Sequence, residues 1–502
     1  MSKDAGIRML FTGVDSVDGY QKRVLERIDE KLSFEKCVLV QKVHDDLDVF
    51  DEEKYRLLNY DMCAHCRYTE FYDFNEFEPL SRELLRDMAP YENTAMRMLQ
   101  RRYNFDVYEY DEQRRFYLQN LQFWNHIFET ERINYVVFTN IPHHTYDYIM
   151  YALAKIKGIR ICVLEVTVVN ERYFACEDLE KDVVKVSYSD ETDITLPEDI
   201  ELYYQVKKLD TTEDRSKIEE PKKVHMKEQW DAYFTDIRRK KVYRRYLAKL
   251  KQGMKAVLSG KGTALLQKNV AEIRENQRYV SRAYRKYHTM VPIQKYDDMA
   301  ELPDYEKPYI VYFLHLQPEA TTLPMAGEFV DQLLAIKILA KALEGTGIRL
   351  YVKEHFVQPC RESYFYEDIK AVKGVTLLKS TVDSRKLLAN CVAISTCTGT
   401  VILEAIINQK PALVFGNGML NSAPGVFRIT NTEKCREALE TMQKPDFEIP
   451  KHHVRQFFKA FGEQTTAMYI YLNSETIKES LSTEQSGNNL ADTVVEWYQK
   501  ER

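Results

Sequence analysis

The sequence lacks the features of a membrane-spanning, secreted or nucleic-acid-coating protein. It has no run of about 18 apolar residues, so we expect no membrane span. Residues 1–11, MSKDAGIRMLF, lack both the apolar core and the cleavage site of a signal peptide. The formal net charge is -6, whereas a protein that coats nucleic acid usually carries a basic field. These absences predict a cytoplasmic protein without a nucleic-acid partner.

Cysteines are few and dispersed. The chain has nine, and Cys162 and Cys391 lie inside apolar runs. An odd, scattered set is typical of reduced thiols in a cytoplasm rather than of a disulfide framework. Cys63 and Cys66 form one CxxC pair, but a structural zinc site needs further ligands at matching spacing. Metal binding at this pair is therefore the weaker interpretation.

Alternating apolar strands and helices predict an α/β domain over residues 1–205. Residues 134–144 form an apolar run that ends in a polar turn. Residues 147–159 have helical spacing and a glycine stop, and residues 160–166 are apolar again. Strand, turn, helix and strand in this order are typical of a βαβ unit, in which the two strands are parallel.

A second alternating pattern predicts a doubly wound parallel sheet over residues 301–502. Together the two halves predict an α/β protein with two Rossmann-like domains and a cleft between them. The strands of the second half are predicted at 308–314, 348–355, 374–380, 391–396 and 411–416.

Residues 206–300 are charged and mostly helical in pattern, which predicts a segment between the domains. Within it, residues 237–252, IRRKKVYRRYLAKLKQ, are strongly basic. Three interpretations remain open for them: a solvated helix face, contact with an anionic membrane surface, or binding of an anionic acceptor. The stretch SGKGT at 259–263 is not a phosphate loop, because Gly262 stands where that motif needs Ser or Thr.

Three polar clusters follow predicted strands of the second domain. In open α/β sheets, ligands bind beyond the carboxyl ends of the strands, so polar groups there face a cleft. Three clusters at successive strand ends therefore indicate a ligand site more strongly than any one of them alone. The clusters are Gln317 with Glu319, Lys353 with His355, and residues 395–400, which lead to Glu404.

Residues 395–400, STCTGT, fit an anion site. They join a strand to a helix start, where free N–H groups and the helix dipole favour a phosphate. Gly399 would let the backbone approach a ligand closely. The alternative is plain capping of the helix by Thr398 or Thr400.

The other two clusters supply charge. Lys353 or His355 would neutralise a departing phosphate, and the alternative is an exposed charged turn. Glu319 follows a proline that restricts its backbone, and a fixed carboxylate in a cleft can act as nucleophile or general base. No pair of carboxylates of the Asp-x-Asp kind stands at a strand end, so no metal is expected.

A fourth polar group follows the strand of the first domain. It contains His143, His144 and Asp147 in the stretch NIPHHTYD. A His–Asp pair that faces the cleft would activate an acceptor hydroxyl. The alternative is a helix start in which Thr145 or Asp147 suits the dipole.

The order of these motifs resembles the capsule polysaccharide biosynthesis family of bacteria. QPEATT, VKEH and STCTGTVILEAIINQKPALVFG carry the resemblance over about residues 309–430. NIPHHTYDYIMYALAKIKGI, residues 140–159, also resembles the N-terminal half of related surface-polysaccharide enzymes. The family includes β-Kdo transferases, and its members resemble GT-B glycosyltransferases that use a CMP-activated sugar. The resemblance implies this fold and this type of reaction.

The resemblance also implies roles for the matching residues. Glu319, after Gln317, stands where the family has its catalytic acid. Lys353 and His355 match an element that contacts the nucleotide phosphate, which gives His355 a catalytic role. The segment that would hold the nucleotide is matched by Ser395, Thr396, Thr398, Gly399, Thr400 and Glu404.

Two positions depart from the family pattern. Phe356 stands where the family has proline, so the turn that positions His355 differs. Glu319 replaces the aspartate of the compared Kdo transferases, and its longer side chain bears on donor identity more than on reaction class.

The motifs and the resemblance together predict a metal-independent glycosyltransferase of surface polysaccharide synthesis without a cofactor, and the resemblance alone implies that it retains the anomeric configuration. Its donor would be a nucleotide sugar, with a CMP-Kdo-like sugar favoured, and its acceptor a glycan or a lipid-linked glycan. Under the membrane interpretation of residues 237–252, this stretch would attach it peripherally to the inner face of the cell membrane. Two alternatives remain open: a nucleotide-sugar epimerase on the same fold, and a non-catalytic scaffold that binds nucleotide or glycan.

Overall fold

The computed structural model describes most of the chain, and its strands form two large sheets and one two-stranded ribbon. The described residues are 6–14, 19–41, 51–101, 108–169, 171–210, 212, 241–317, 319–358, 360–470, 472 and 481–500. The strands are β1 (Arg8–Phe11), β2 (Lys36–Gln41), β3 (Tyr55–Asn59), β4 (Tyr135–Phe138), β5 (Arg160–Val166), β6 (Arg172–Cys176), β7 (Met290–Pro292), β8 (Tyr309–Phe313), β9 (Arg349–Lys353), β10 (Cys360–Glu362), β11 (Val375–Leu378), β12 (Ala393–Thr396), β13 (Ala412–Val414), β14 (Val426–Arg428) and β15 (Thr465–Ala467).

Helices cover the sheets and form most of the middle segment. None of those in the described residues combines the length and the apolar composition that a bilayer span requires. The α-helices are α1 (Tyr20–Leu32), α2 (Tyr60–Ala64), α3 (Arg82–Arg101), α4 (Tyr110–Thr130), α5 (Thr145–Ile156), α6 (Glu198–Lys207), α7 (Lys241–Leu258), α8 (Ala264–Glu275), α9 (Gln277–Thr289), α10 (Ile293–Tyr296), α11 (Gln332–Leu343), α12 (Ser363–Ala371), α13 (Ser384–Asn390), α14 (Val401–Ile407), α15 (Thr432–Met442), α16 (Lys451–Gln464) and α17 (Thr483–Gln499). Short 3₁₀ turns lie at Tyr68–Glu70, Phe74–Glu76, Gly327–Val330 and Met419–Ser422.

The first sheet has the order β15-β6-β5-β4-β1-β2-β3. The five strands from β3 to β5 run parallel, while β6 and β15 are antiparallel additions at one edge. All four residues of β4 are buried, as expected for a parallel strand that helices cover on both faces. Helix α5 connects β4 to β5, which confirms the predicted βαβ unit.

The second sheet is wholly parallel and has the order β11-β9-β8-β12-β13-β14. Numbered along the chain within this sheet, the strands follow 3-2-1-4-5-6, the order of a Rossmann sheet. The order reverses between β8 and β12, so the loops that follow these two strands flank the switch point where such sheets bind ligands. The predicted α/β architecture with two Rossmann-like sheets is confirmed.

The C-terminal tail crosses back to the first sheet. Thr465 of β15 lies opposite Phe174 of β6, and α17 packs along α1. The Arg27 guanidinium binds the Asp492 carboxylate at 2.8 Å across these two helices. The predicted assignment of residues 301–502 to the second domain is therefore wrong for this tail. Helical periodicity shows that a helix has an apolar face, but it does not show which sheet that face covers.

The middle segment is helical, as predicted, where the structure describes it. Helices α7 and α8 form a hairpin, in which Asn269 Nδ2 donates to the Lys249 carbonyl at 2.7 Å. Residues 213–240 lie outside the described residues, and with them the start of the basic stretch 237–252. The ribbon of β7 and β10, which the sequence pattern did not predict, joins the end of this segment to the second domain.

Candidate active site

A cleft of about 610 Å³ lies between the two sheets, as the fold predicts. Both domains contribute to its walls. The first domain contributes Asn140, Ile141, His143, Glu165, Val166, Thr167 and Val168. The second domain contributes, among others, Glu319, Thr321, Met325, Thr398, Thr400 and Asn417.

Glu319 lies in the loop after β8 and lines the cleft. Its carboxylate accepts a hydrogen bond from the Thr321 hydroxyl at 2.7 Å. Its backbone carbonyl accepts from the Thr322 hydroxyl at 2.8 Å and from two following N–H groups. These bonds form a tight turn, so the position of the carboxylate at the strand end is set by the loop itself. Its predicted location in the cleft agrees with the structure, and its catalytic role stays a prediction.

The turn after β12 lies beside the Glu319 loop. The Thr398 hydroxyl donates to the Thr321 carbonyl at 2.7 Å, which ties the two loops together. Thr398 and Thr400 line the cleft. A Cβ on Gly399 would lie 2.9 Å from the Thr396 hydroxyl oxygen, so glycine permits a close approach between the turn and β12. The two loops that flank the switch point therefore form one wall.

His315 binds this turn through its imidazole ring. It was not among the predicted site residues. Its Nε2 accepts the Thr398 backbone N–H at 3.0 Å, and the Thr396 hydroxyl lies 2.9 Å from the same nitrogen. Burial lowers the pKa of His315 to about 3, and the charges of His355 and Arg361 add to the effect. The imidazole is thus neutral, with Nε2 as an acceptor. The only feature of the sequence that pointed to His315 was its position directly after a predicted strand.

A buried ion pair between Arg361 and Glu354 lies next to Gln317 and His315 and binds both of them. The Arg361 Nε lies 2.7 Å from the Glu354 carboxylate, and the two side chains are 6% and 1% exposed. Arg361 also donates to Gln317 Oε1 at 2.8 Å and to the His315 carbonyl. Burial disfavours ionisation of Glu354, but Arg361 and the Tyr366 hydroxyl outweigh it and hold the pKa of Glu354 below its usual range.

The structure places other predicted residues outside the lining of the cleft. Lys353 Nζ donates to the Ser380 carbonyl at 3.0 Å, and burial lowers the pKa of Lys353. His355 is half-buried, and its ring stacks on Phe356, which is 57% exposed. Lys353 ends β9 and His355 follows it, one strand away from the switch point. The phosphate contacts that the resemblance implies for them stay predictions.

Two further predicted residues do not line the cleft and instead form hydrogen bonds within the fold. The Ser395 hydroxyl donates to the Leu413 carbonyl at 2.9 Å inside the sheet. Glu404 accepts from Lys207 Nζ at 2.9 Å and so connects α14 of the second domain with α6. A polar side chain near a strand end can form its hydrogen bonds with a neighbouring strand or helix instead of a ligand. The residue type alone does not show which of these partners it has.

His143, His144 and Asp147 lie together at the start of α5. Asp147 accepts the His144 backbone N–H at 2.7 Å, which is a capping interaction, and its second oxygen lies 3.2 Å from His144 Nδ1. His143 lines the cleft, and its Nδ1 lies 2.6 Å from the Ile141 carbonyl. The capping contact of a helix start is therefore present, and so is a His144–Asp147 pair, but of these three residues only His143 lines the cleft. Ligand atoms of the three residues lie within 4.8 Å of one another, so they could hold a metal ion.

Glu165 is a site residue that sequence reasoning missed. It lies on β5, is 8% exposed and lines the cleft from the first domain. Among the described residues, no hydrogen-bond or ion-pair partner faces its carboxyl. Burial alone raises the pKa of Glu165 to about 8. One feature of the sequence pointed to Glu165. It is the only acidic residue in the strand RICVLEV, which is otherwise apolar apart from its first residue.

The wall that holds Glu319, Thr398 and Thr400 falls within a known family region. Residues 306–461 match the family model described as capsule polysaccharide biosynthesis protein. The resemblance predicted from the motifs is thereby confirmed, and we refer to residues 306–461 as the capsule-family region. This region contains every site residue predicted in the second domain. A search of curated protein sequences finds no match.

Solved structures match over most of the chain at low similarity. KpsC of Thermosulfurimonas dismutans, a β-Kdo 2,7 transferase, is 10% identical over 74% of this chain and 88% of that chain, with a TM-score of 0.29. MnaA of S. aureus in complex with UDP is 10% identical over 90% of each chain, with a TM-score of 0.23. A UDP-GlcNAc 2-epimerase of Methanocaldococcus jannaschii with UDP-GlcNAc and UDP is 13% identical over 89% of this chain and 97% of that chain, with a TM-score of 0.23. TM-scores this low carry no argument about substrate.

Proposed function

We propose that the protein is a glycosyltransferase of capsular polysaccharide synthesis. It transfers a sugar from a nucleotide-activated donor to a glycan or lipid-linked acceptor. One observation carries the proposal: Glu319 of the capsule-family region lines a cleft between two Rossmann-like sheets, at the switch point of the second. A carboxylate held at that position suits either attack on the anomeric carbon of the donor sugar or removal of the proton from the acceptor hydroxyl.

In the proposed reaction, Glu319 acts as the nucleophile. Its carboxylate attacks the anomeric carbon, the bond to the nucleotide phosphate breaks, and the nucleotide leaves with the electron pair. An acceptor hydroxyl then displaces Glu319, so two inversions retain the configuration. The Thr321 hydroxyl, 2.7 Å from the carboxylate, would keep it aimed during the first step.

The cleft would stabilise the departing phosphate by hydrogen bonds. Thr398, Thr400 and Asn417 line the second-domain wall and offer hydroxyl and amide groups. Donors placed where charge develops are usually the largest single contribution to such catalysis. We propose that this transfer needs neither a metal ion nor a cofactor, and that the donor is a CMP-Kdo-like sugar.

A nucleotide panel tests the proposed function and the donor together. Thermal unfolding is measured with CMP, CDP, UDP, GDP and CMP-Kdo, with and without EDTA. We expect cytidine nucleotides to stabilise the protein by about 2.7 kcal/mol at 100 times their dissociation constant, because a ligand that binds only the folded state adds this amount. EDTA should leave this stabilisation unchanged.

A matched pair of variants locates the nucleotide in the cleft. Thr400→Val removes an exposed hydroxyl that lines the cleft and caps no backbone N–H among the described residues, so it should weaken the nucleotide effect. Thr381→Val removes an exposed hydroxyl outside the cleft lining and should leave the effect intact. A uridine or guanosine preference would contradict the proposed donor. No response to any nucleotide would contradict the transferase and support the scaffold.

We also propose that the α7–α8 hairpin contacts an anionic membrane surface, where a lipid-linked acceptor would lie. Helix α7 carries Leu247, Met254 and Leu258, which are 48%, 49% and 88% exposed. The spacing of seven and four residues puts them on one stripe of the helix. An exposed apolar stripe flanked by cations is typical of helices that lie in a membrane interface.

The cations that flank this stripe give a vesicle-binding prediction. Arg244, Lys251 and Lys255 are exposed on the same side of α7. Each contributes about 1 kcal/mol near an anionic surface, so reversing all three to Glu should lower binding to phosphatidylserine vesicles by at least about 100-fold. Co-sedimentation measures this. Reversal of three exposed lysines elsewhere provides the control: Lys337, Lys370 and Lys373. Equal binding to vesicles without anionic lipid would contradict the proposal.

A further inference from the structure

Glu165 carries a buried carboxyl group for which the fold shows no structural role. It lines the cleft beside Val166 and Val168, and lies opposite Phe174 in the ladder of β5 and β6. A buried polar group without a hydrogen bond destabilises a fold, and replacement by an apolar residue would remove this cost. In the described part of the chain its carboxyl has no such bond. Groups of this kind in a cleft are candidates for function.

Its surroundings differ from those of the other acid–base groups of the first domain. His144 and Asp147 are engaged with each other through a backbone hydrogen bond and a contact of 3.2 Å. Within the described ranges Glu165 has no comparable partner, and it lines the cleft that Glu319 lines from the other domain. A sugar bound to Glu319 would therefore have Glu165 on the wall from which an acceptor approaches.

We infer that Glu165 is the general base that takes the proton from the acceptor hydroxyl. The inference rests on the proposed function. As the acceptor oxygen bonds to the anomeric carbon, its O–H bond breaks, the proton passes to the Glu165 carboxylate, and the carbon–oxygen bond to Glu319 breaks. Glu319 recovers its carboxylate, and Glu165 releases the proton to solvent afterwards.

The surroundings of Glu165 suit this role near neutral pH. The Cys176 thiol of β6 interacts electrostatically with Glu165, and the titratable groups His143 and Glu319 line the same cleft. Burial raises the pKa of Glu165 to about 8, and a general base is most effective when its pKa is near the working pH. The carboxylate fraction, and with it the rate of the second step, should rise with pH up to about 8.

The test uses the isosteric variant Glu165→Gln and two acceptors. CMP release from CMP-Kdo is measured with water as acceptor, which needs a base, and with sodium azide, which needs none. With water, we expect the variant to be about 100- to 10,000-fold slower than the wild type, the range that a general base contributes. With azide, both should form the glycosyl azide at the same rate. The increase of the wild-type rate up to pH 8 should be absent from the variant.

Controls separate this inference from the proposed function. The variant should keep the nucleotide stabilisation of the wild type, which shows that it is folded. Glu180→Gln makes the same change at an exposed position outside the cleft lining and should leave both reactions unaffected. Equal hydrolysis and equal pH profiles in Glu165→Gln and the wild type would overturn the role of Glu165 alone. Failure of the wild type to release nucleotide from any sugar donor would overturn the proposed function, and this inference with it.

Discussion

Replacing Glu319 by glutamine is expected to lower turnover about a thousandfold while nucleotide affinity stays unchanged. Positioned nucleophiles and bases contribute on this scale. The amide is the same size as the carboxylate, and its oxygen still accepts the hydrogen bond that the Thr321 hydroxyl donates at 2.7 Å. The turn that holds residue 319 therefore persists, and only the nucleophilic charge is lost. Steady-state CMP release measures turnover, and thermal shift with CMP measures binding.

The control for this variant is Glu328→Gln. Glu328 lies in the 3₁₀ turn Gly327–Val330 of the same domain, is exposed and does not line the cleft. It should keep full turnover, although its charge changes by the same amount. If Glu319→Gln turns over as fast as the wild type, Glu319 is not the nucleophile. A variant that also keeps its role in cells would favour a scaffold.

Replacing Arg361 by methionine is expected to destabilise the protein by about 3–5 kcal/mol. This is the usual cost of removing one partner from a buried ion pair, because the other charge stays buried and unpaired. Arg361 is 6% exposed and binds Glu354 at 2.7 Å, and it also holds Gln317 and the His315 carbonyl. Chemical unfolding followed by far-UV circular dichroism measures the change.

The pH dependence of this variant identifies the cause. In the wild type, the pKa of Glu354 lies below its usual range, so its contribution to stability is present above the unfolded pKa and is lost as pH falls through the folded pKa. In the variant, Glu354 is buried without its partner, and protonation relieves the cost. The difference in unfolding free energy should therefore shrink as pH falls from 7 towards 4.

Two further variants make the result specific. Glu354→Gln combined with Arg361→Met leaves no unpaired charge and should recover a large part of the lost stability. Lys434→Met breaks an ion pair whose side chains are 55% and 51% exposed, and it should leave the unfolding midpoint unchanged. A double variant as unstable as Arg361→Met would show that packing, and not charge, accounts for the loss.

The alternation of strands and helices was sufficient to predict both sheets. Parallel strands that helices cover on both faces are short apolar runs, and β4 and β12 are buried at every position. The edge strands were not predictable in this way. Whether β6 and β15 pair with each other depends on contacts between residues about 290 positions apart, for example Thr465 with Phe174. Local pattern carries no information about such partners.

The candidate site was predictable where a residue lies directly beyond a switch-point strand. Glu319, Thr398 and His143 all line the cleft, as their positions after β8, β12 and β4 suggested. Glu165 was missed because it lies on a strand and not after one. Arg361 was missed because its importance comes from Glu354, which binds it across a loop. Pairing of two buried charges is a property of three-dimensional packing, and neither residue alone indicates it.

The return of the tail to the first sheet has a consequence for the order in which the protein folds. Domains emerge from the ribosome in chain order, and those nearer the N-terminus generally fold first. Here β15 and α17 are synthesised after the whole second sheet. Until then, β6 has no partner strand on its outer edge, and the side of α1 that faces α17 is uncovered. Unpaired edges are sites of aggregation. The domain that is synthesised first is therefore the one that is completed last.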